Sequence, residues 1–135
     1  SISIEPIILF LIIFLWTPSH FWALSLYKSG DYKKAKIPML PVIAGVKTTK
    51  INILVYSFAM LPITIAPYFF NFAGMFYLSS AILMTLYYNY LCYELFKSNI
   101  TKVSNKIARK IFVYSIFYLF FIFLILLIDK IVKLF

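Results

Sequence analysis

Four nearly unbroken apolar stretches run along the chain, separated by two lysine-rich polar stretches and one short neutral turn. The apolar stretches are residues 7–27 (IILFLIIFLWTPSHFWALSLY), 51–70, 75–95 and 111–128. A helix needs about 20 predominantly apolar residues to cross a bilayer core, and each stretch is close to that length. The spacing predicts an all-α, polytopic membrane protein with four transmembrane helices. Pro18, Pro62 and Pro67 lie inside the predicted helices. Each withholds a backbone N–H and is expected to bend or break its helix. Thr17 and Ser19 flank the first proline and can donate to carbonyls near it. Tyr87, Tyr88, Tyr90 and Tyr93 crowd the end of the third stretch, where they fit an interfacial aromatic belt.

Charge orients this pattern. The 28–50 stretch carries Lys28, Lys33, Lys34, Lys36, Lys47 and Lys50, and the 96–110 stretch carries Lys97, Lys102, Lys106, Arg109 and Lys110. The turn Asn71–Gly74 between the second and third spans carries none. Basic loops stay on the cytoplasmic side, so both polar stretches are expected there, with the two chain ends opposite. Lys130 and Lys133 run mildly against that rule. Hydrophobic residues make up 64% and charged residues 13% of the chain, and mean hydropathy is +0.95. A soluble domain carries about 25% charge, so the partner of this surface is a lipid bilayer. The net charge of +9 is then a property of the loops and implies no nucleic acid. The single Cys92 excludes an internal disulfide. The chain opens on Ser-Ile-Ser-Ile-Glu-Pro directly before an apolar run, which reads as a piece of a longer chain.

Candidate chemistry gathers between Trp16 and Pro41, WTPSHFWALSLYKSGDYKKAKIPMLP. The stretch holds the only histidine, His20, and one of four carboxylates, Asp31. On a helix, Trp16, His20, Tyr27 and Asp31 would fall on one stripe. Such a stripe should turn away from lipid. Asp31 sits among Lys28, Lys33, Lys34 and Lys36. A carboxylate beside several ammonium groups suits a diphosphate held through Mg²⁺; it equally suits a surface ion pair. His20 is a candidate haem-iron ligand, a proton carrier or a support for the proline position; the plain alternative is a buried ring bonded to a neighbour. Tyr27 is either a catalytic group or an interface anchor, and Trp16 and Trp22 read first as packing. Glu94 is placed to pair with Lys97. The sequence has no Gly-rich phosphate loop, no nucleophile elbow and no Cys/His metal cluster.

The same stretch resembles the protohaem IX farnesyltransferase (haem O synthase) family, a branch of the UbiA-type intramembrane prenyltransferases. The family pattern W-T-P-x-H-F-W-x-L-x-x-Y, then D-Y, then I-P-M-L-P, is matched by Trp16, Thr17, Pro18, His20, Phe21, Trp22, Leu24, Tyr27, Asp31, Tyr32 and Ile37 to Pro41. The later spans fit the family by spacing and hydropathy. The resemblance implies a single partial membrane domain, the C-terminal part of a nine-helix bundle in the bacterial inner membrane. It implies transfer of a farnesyl group from farnesyl diphosphate to a vinyl group of haem B, giving haem O on the way to haem A. It also implies that Tyr27 and Asp31 represent the second of two acidic motifs. Asp31 would then support Mg²⁺, Lys28 and Lys34 would hold diphosphate, and His20 would face the haem or the prenyl chamber.

One departure sets the limits. The carboxylates are Glu5, Asp31, Glu94 and Asp129, with no Asp-x-x-x-Asp pair. The family's first acidic motif belongs to its N-terminal half, which is therefore an expected partner. Two other readings stand beside the first: a UbiA-type enzyme acting on an aromatic quinone precursor, and a haem-binding membrane fragment without turnover. A channel is disfavoured, because the spans hold one histidine and few polar groups to line a path.

Overall fold

The computed structural model describes residues 4–28, 34–36 and 45–134. Four helices account for nearly all of them: α1 (Ile4–Tyr27), α2 (Val46–Phe69), α3 (Met75–Lys97) and α4 (Thr101–Leu134). Each packs beside the next and α4 returns to α1, so the four close into a square with α1 opposite α3 and α2 opposite α4. The all-α expectation holds. Helices α1, α2 and α4 are long and apolar enough to cross a membrane. Helix α3 has 23 residues, but it carries Thr85, Tyr88 and Asn89, all of which face inward and are buried. Together with the exposed Tyr87, Tyr90 and Tyr93 they lower its hydropathy below that of the other three helices.

The prolines do not break the helices. Pro18 lies inside an uninterrupted α1, and Pro62 and Pro67 lie inside α2. Thr17 donates to the Ile13 carbonyl at 2.7 Å, one turn back along α1. Ser19 has a different role, bonding across the bundle to the Tyr88 hydroxyl at 2.6 Å. The carbonyl that Pro18 leaves without its helical donor is that of Phe14, four residues back, and in a membrane helix such a position is tolerated where neighbouring helices pack against it.

The second polar stretch is also more ordered than its charge suggests. Only Ser98 to Ile100 separate α3 from α4, and residues 101–110 already form the first turns of α4. Lysine, alanine and arginine are good helix formers, and no glycine or proline interrupts them. The C-terminal residues likewise continue α4 as far as Leu134. Lys47 and Lys50 similarly belong to α2, which starts at Val46.

Tyrosines tie the square across its diagonals. Tyr77, Tyr88 and Tyr118 are fully buried. Tyr88 therefore has no place in the aromatic belt, whereas Tyr87, Tyr90 and Tyr93 are exposed. The Tyr118 hydroxyl of α4 lies 3.2 Å from Thr64 Oγ1 on α2 and 2.8 Å from Thr85 Oγ1 on α3. Because Thr64 donates its proton to the Met60 carbonyl, Tyr118 donates to Thr64 and accepts from Thr85. Tyr77 donates to the Thr64 carbonyl at 2.7 Å. A phenol is long enough to reach across a helix diagonal and brings its own polar tip to be satisfied there.

The two ends of the bundle are closed differently. At one end the Lys50 ammonium reaches the turn between α3 and α4, donating to the Ser98 carbonyl at 2.9 Å and Ser104 Oγ at 2.8 Å. It sits against the negative end of the α3 dipole, which favours a cation. At the other end the buried Asp129 carboxylate of α4 accepts from the Gly74 N–H at 2.5 Å, at the start of α3. A carboxylate at a helix N-terminus is favoured by the same dipole. Lys130 pairs with Glu5 at 3.4 Å, which accounts for one of the two lysines placed against the charge rule. Replacing Asp129 with alanine should leave the Gly74 N–H unpaired and lower stability by about 2 kcal/mol, the worth of a hydrogen bond to a charged group. Thermal unfolding in detergent reads this directly, and an unchanged midpoint would mean that the contact contributes nothing.

Candidate functional site

Trp16 and His20 are one helical turn apart on α1, and the structure stacks their rings with centroids 4.4 Å apart. Phe112 of α4 stacks on the imidazole at 4.5 Å, so the ring lies between two aromatic planes. His20 Nδ1 is hydrogen-bonded to Ser115 Oγ. Ser115 gives its own proton to the Phe112 carbonyl at 2.7 Å. It can therefore only accept from the imidazole, which places the ring proton on Nδ1 and the lone pair on Nε2. Trp16 donates Nε1–H to the Ser115 carbonyl at 2.9 Å. Two side chains of α1 thus converge on one residue of α4, and the ring is held in plane and in tautomer. A histidine that binds a metal through one nitrogen is usually fixed through the other in this way. The same contacts also satisfy a purely structural histidine, so geometry alone leaves both roles open.

Beside Trp16 an apolar groove of about 540 Å³ runs between α1 and α4. Leu119, Phe120, Phe123 and Leu127 line its length. Trp16 is shared between this groove and the His20 stack.

Of the remaining expected site residues, Tyr27 and Lys28 stand at the end of α1. Tyr27 is the last residue of the helix. Lys28 follows it, with its backbone N–H bonded to the Leu24 carbonyl at 3.1 Å and its side chain exposed. Lys34 is exposed. Asp31, the side chain of Tyr27 and the segment Ile37–Pro41 lie outside the described residues. The expected stripe is therefore seen only in its first half, Trp16 and His20.

The Mg²⁺ implied by the family resemblance finds no ligand set among the described residues. No three His, Cys, Asp or Glu side chains come together there. Glu5 pairs with Lys130, Glu94 pairs with Lys97 at 3.5 Å as the sequence suggested, and Asp129 holds the Gly74 N–H. These three carboxylates are already used and lie on different helices.

Sequence reading missed Ser115 and Phe112, which fix His20, and Lys50, which closes the basic end. A signal existed for the first. Tyr114, Ser115 and Tyr118 are the polar residues in the otherwise apolar 111–128 stretch. A polar residue in such a span turns inward to a partner.

Comparison with known proteins follows the same outline. Residues 1–116 match the model of the UbiA prenyltransferase family. A protein from Pelagibacter ubique named Protoheme IX farnesyltransferase is 64% identical over 132 residues, covering 98% of this chain and 44% of the relative. Proteins of the same name from Parvibaculum lavamentivorans and Bordetella pertussis are 46% and 44% identical, each over 134 residues and 99% of this chain. They are covered to 42% and 44% of their own lengths. The chain thus spans less than half the length of these curated relatives. No solved structure matches it.

Proposed function

We propose, because this chain belongs to the UbiA prenyltransferase family, that the whole protein transfers the farnesyl group of farnesyl diphosphate to a vinyl group of haem B, giving haem O. The observation that carries the proposal is the 64% identity, over 132 residues, to a relative named for protohaem IX farnesylation. Together with the matched stretch Trp16 to Pro41, it favours the haem acceptor over an aromatic quinone precursor. The site is read as lying in the bacterial inner membrane, with the basic stretches 28–50 and 96–110 toward the cytoplasm.

In this reading the bond from farnesyl C1 to the diphosphate oxygen breaks as the terminal vinyl carbon bonds to C1. The cation left on the adjacent vinyl carbon takes up water and releases a proton, so that haem O and diphosphate leave. Lys28, exposed just past the end of α1, and Lys34, also exposed, supply positive charge to the departing diphosphate. Asp31 and Tyr27 are assigned to that same diphosphate end. Any Mg²⁺ there would need carboxylates from the part of the protein that this chain does not span. The metal's contribution when bound is to neutralise leaving-group charge.

His20 is assigned to the acceptor side, with Nε2 turned to the haem and Nδ1 held by Ser115. The faces of Trp16 and Phe112 that flank it offer quadrupolar stabilisation to cationic carbon. The apolar groove beside Trp16 suits an isoprenoid tail.

The test uses reconstituted protein supplied with farnesyl diphosphate and haem B. This chain alone is expected to yield little or no haem O, and addition of the N-terminal half of a relative is expected to restore it. If haem binds but no haem O forms under either condition, the chain is a haem-binding fragment without turnover.

A further inference from the structure

We propose that the groove between α3 and α4 at the basic end of the bundle is a binding site for an anionic glycerophospholipid. This inference does not depend on the farnesyl-transfer reading. The groove has a volume of about 620 Å³, and its mouth carries Lys106, Arg109 and Lys110. Those residues lie within one turn of each other on α4, and Val113 and Phe117 continue the same face inward. The facing wall is aromatic. Tyr87 of α3 meets Tyr114 with ring centroids 4.9 Å apart, and the Tyr114 hydroxyl is anchored on the Met84 carbonyl at 2.6 Å.

The two halves of the groove have different chemistry, and the order matters. The cations sit in the second and third turns of α4, toward the end that the Ser98–Ile100 turn occupies. The apolar part runs into the span. From Lys106 to Phe117 the helix rises about 16 Å, close to half of the roughly 30 Å hydrocarbon core. A phosphodiester at the mouth would therefore leave its acyl chains lying along Val113 and Phe117. Tyr87 and Tyr114 fall at the depth where tyrosine favours the boundary between the two.

Charge selects the occupant. Among the described residues no carboxylate reaches Lys106, Arg109 or Lys110, because Glu94, Glu5 and Asp129 are engaged elsewhere. A protein partner laid over this face would bury three cations, which is costly unless it brings matching anions. A lipid phosphate supplies the anion while remaining at the interface. Basic pockets between transmembrane helices take anionic headgroups for this reason.

The experiment is native mass spectrometry of the chain released from nanodiscs of phosphatidylcholine with phosphatidylglycerol. The wild-type chain is expected to retain one phosphatidylglycerol in preference to phosphatidylcholine. The variant Lys106→Gln/Arg109→Gln/Lys110→Gln is expected to bind it on the order of 100-fold more weakly, at roughly fivefold per charge. An equal-charge control, Lys47→Gln/Lys97→Gln/Lys102→Gln, should retain it. Should the triple variant be poorly recovered, Arg109→Gln alone gives the same readout with about a fivefold loss. Equal loss in the control, no loss in the groove variants, or displacement of the lipid by inorganic pyrophosphate would each overturn the assignment. The last outcome would mark a site for a free phosphate anion.

Discussion

Replacing Asp31 with asparagine in the complete enzyme is expected to lower haem O formation by roughly 100- to 1,000-fold, the usual cost of removing one group that stabilises developing charge. The substitution keeps side-chain shape and removes only the negative charge. The chain places no other carboxylate between Glu5 and Glu94, so none is near in sequence to take over. If Asp31 helps to hold a metal–diphosphate complex, the loss should appear in kcat/KM for farnesyl diphosphate, with haem affinity unchanged. Lys28→Gln and Lys34→Gln should each act in the same direction with smaller effects, since the other lysines nearby share the load. Wild-type turnover in Asp31→Asn would remove Asp31 from the mechanism and leave the surface ion pair as its role.

The second large effect concerns His20, and two substitutions separate its contributions. His20→Ala leaves a gap between Trp16 and Phe112 and should cost about 3 kcal/mol, in the range for truncating a buried aromatic ring. His20→Phe refills the space between the two rings and loses only the bond to Ser115, so it should cost about 1 kcal/mol. Thermal unfolding in detergent distinguishes them, and equal destabilisation by both would contradict the stacked arrangement. The phenylalanine variant then serves for chemistry. It keeps the packing but has no Nε2 lone pair, so a haem Soret shift that depends on His20 should vanish while the fold persists. An unchanged Soret band would assign His20 to packing alone.

The helical architecture could be read from hydropathy, and the places where that reading slipped share a cause. Residues 101–110 are charged, so they look like loop, yet nothing in them opposes a helix and α4 runs straight through. Pro18, Pro62 and Pro67 look like breaks, yet each is accommodated within a continuous helix. Tyr88 looks like one more belt tyrosine, yet it is the one of its group that turns inward, to Ser19. In each case local composition was visible, while the outcome depended on what the neighbouring helices offered.

The site divides along the same line. Trp16 and His20 are four residues apart, so helical periodicity was enough to bring them together. Their partners Phe112 and Ser115 lie in the last helix, and only the closing of α4 against α1 brings them near. Lys50 looked like one more loop cation, whereas its position beside Ser98 and Ser104 makes it a clasp between α2 and the turn that joins α3 to α4. Chemical identity was read from a motif; contact geometry required the fold.

The most direct measurement is acceptor choice. The reconstituted complete enzyme is given farnesyl diphosphate with haem B and an aromatic quinone precursor in equal amounts, and the products are separated and weighed by mass spectrometry. The account predicts haem O, with the aromatic acceptor unchanged. A farnesylated aromatic product with haem B left intact would contradict it.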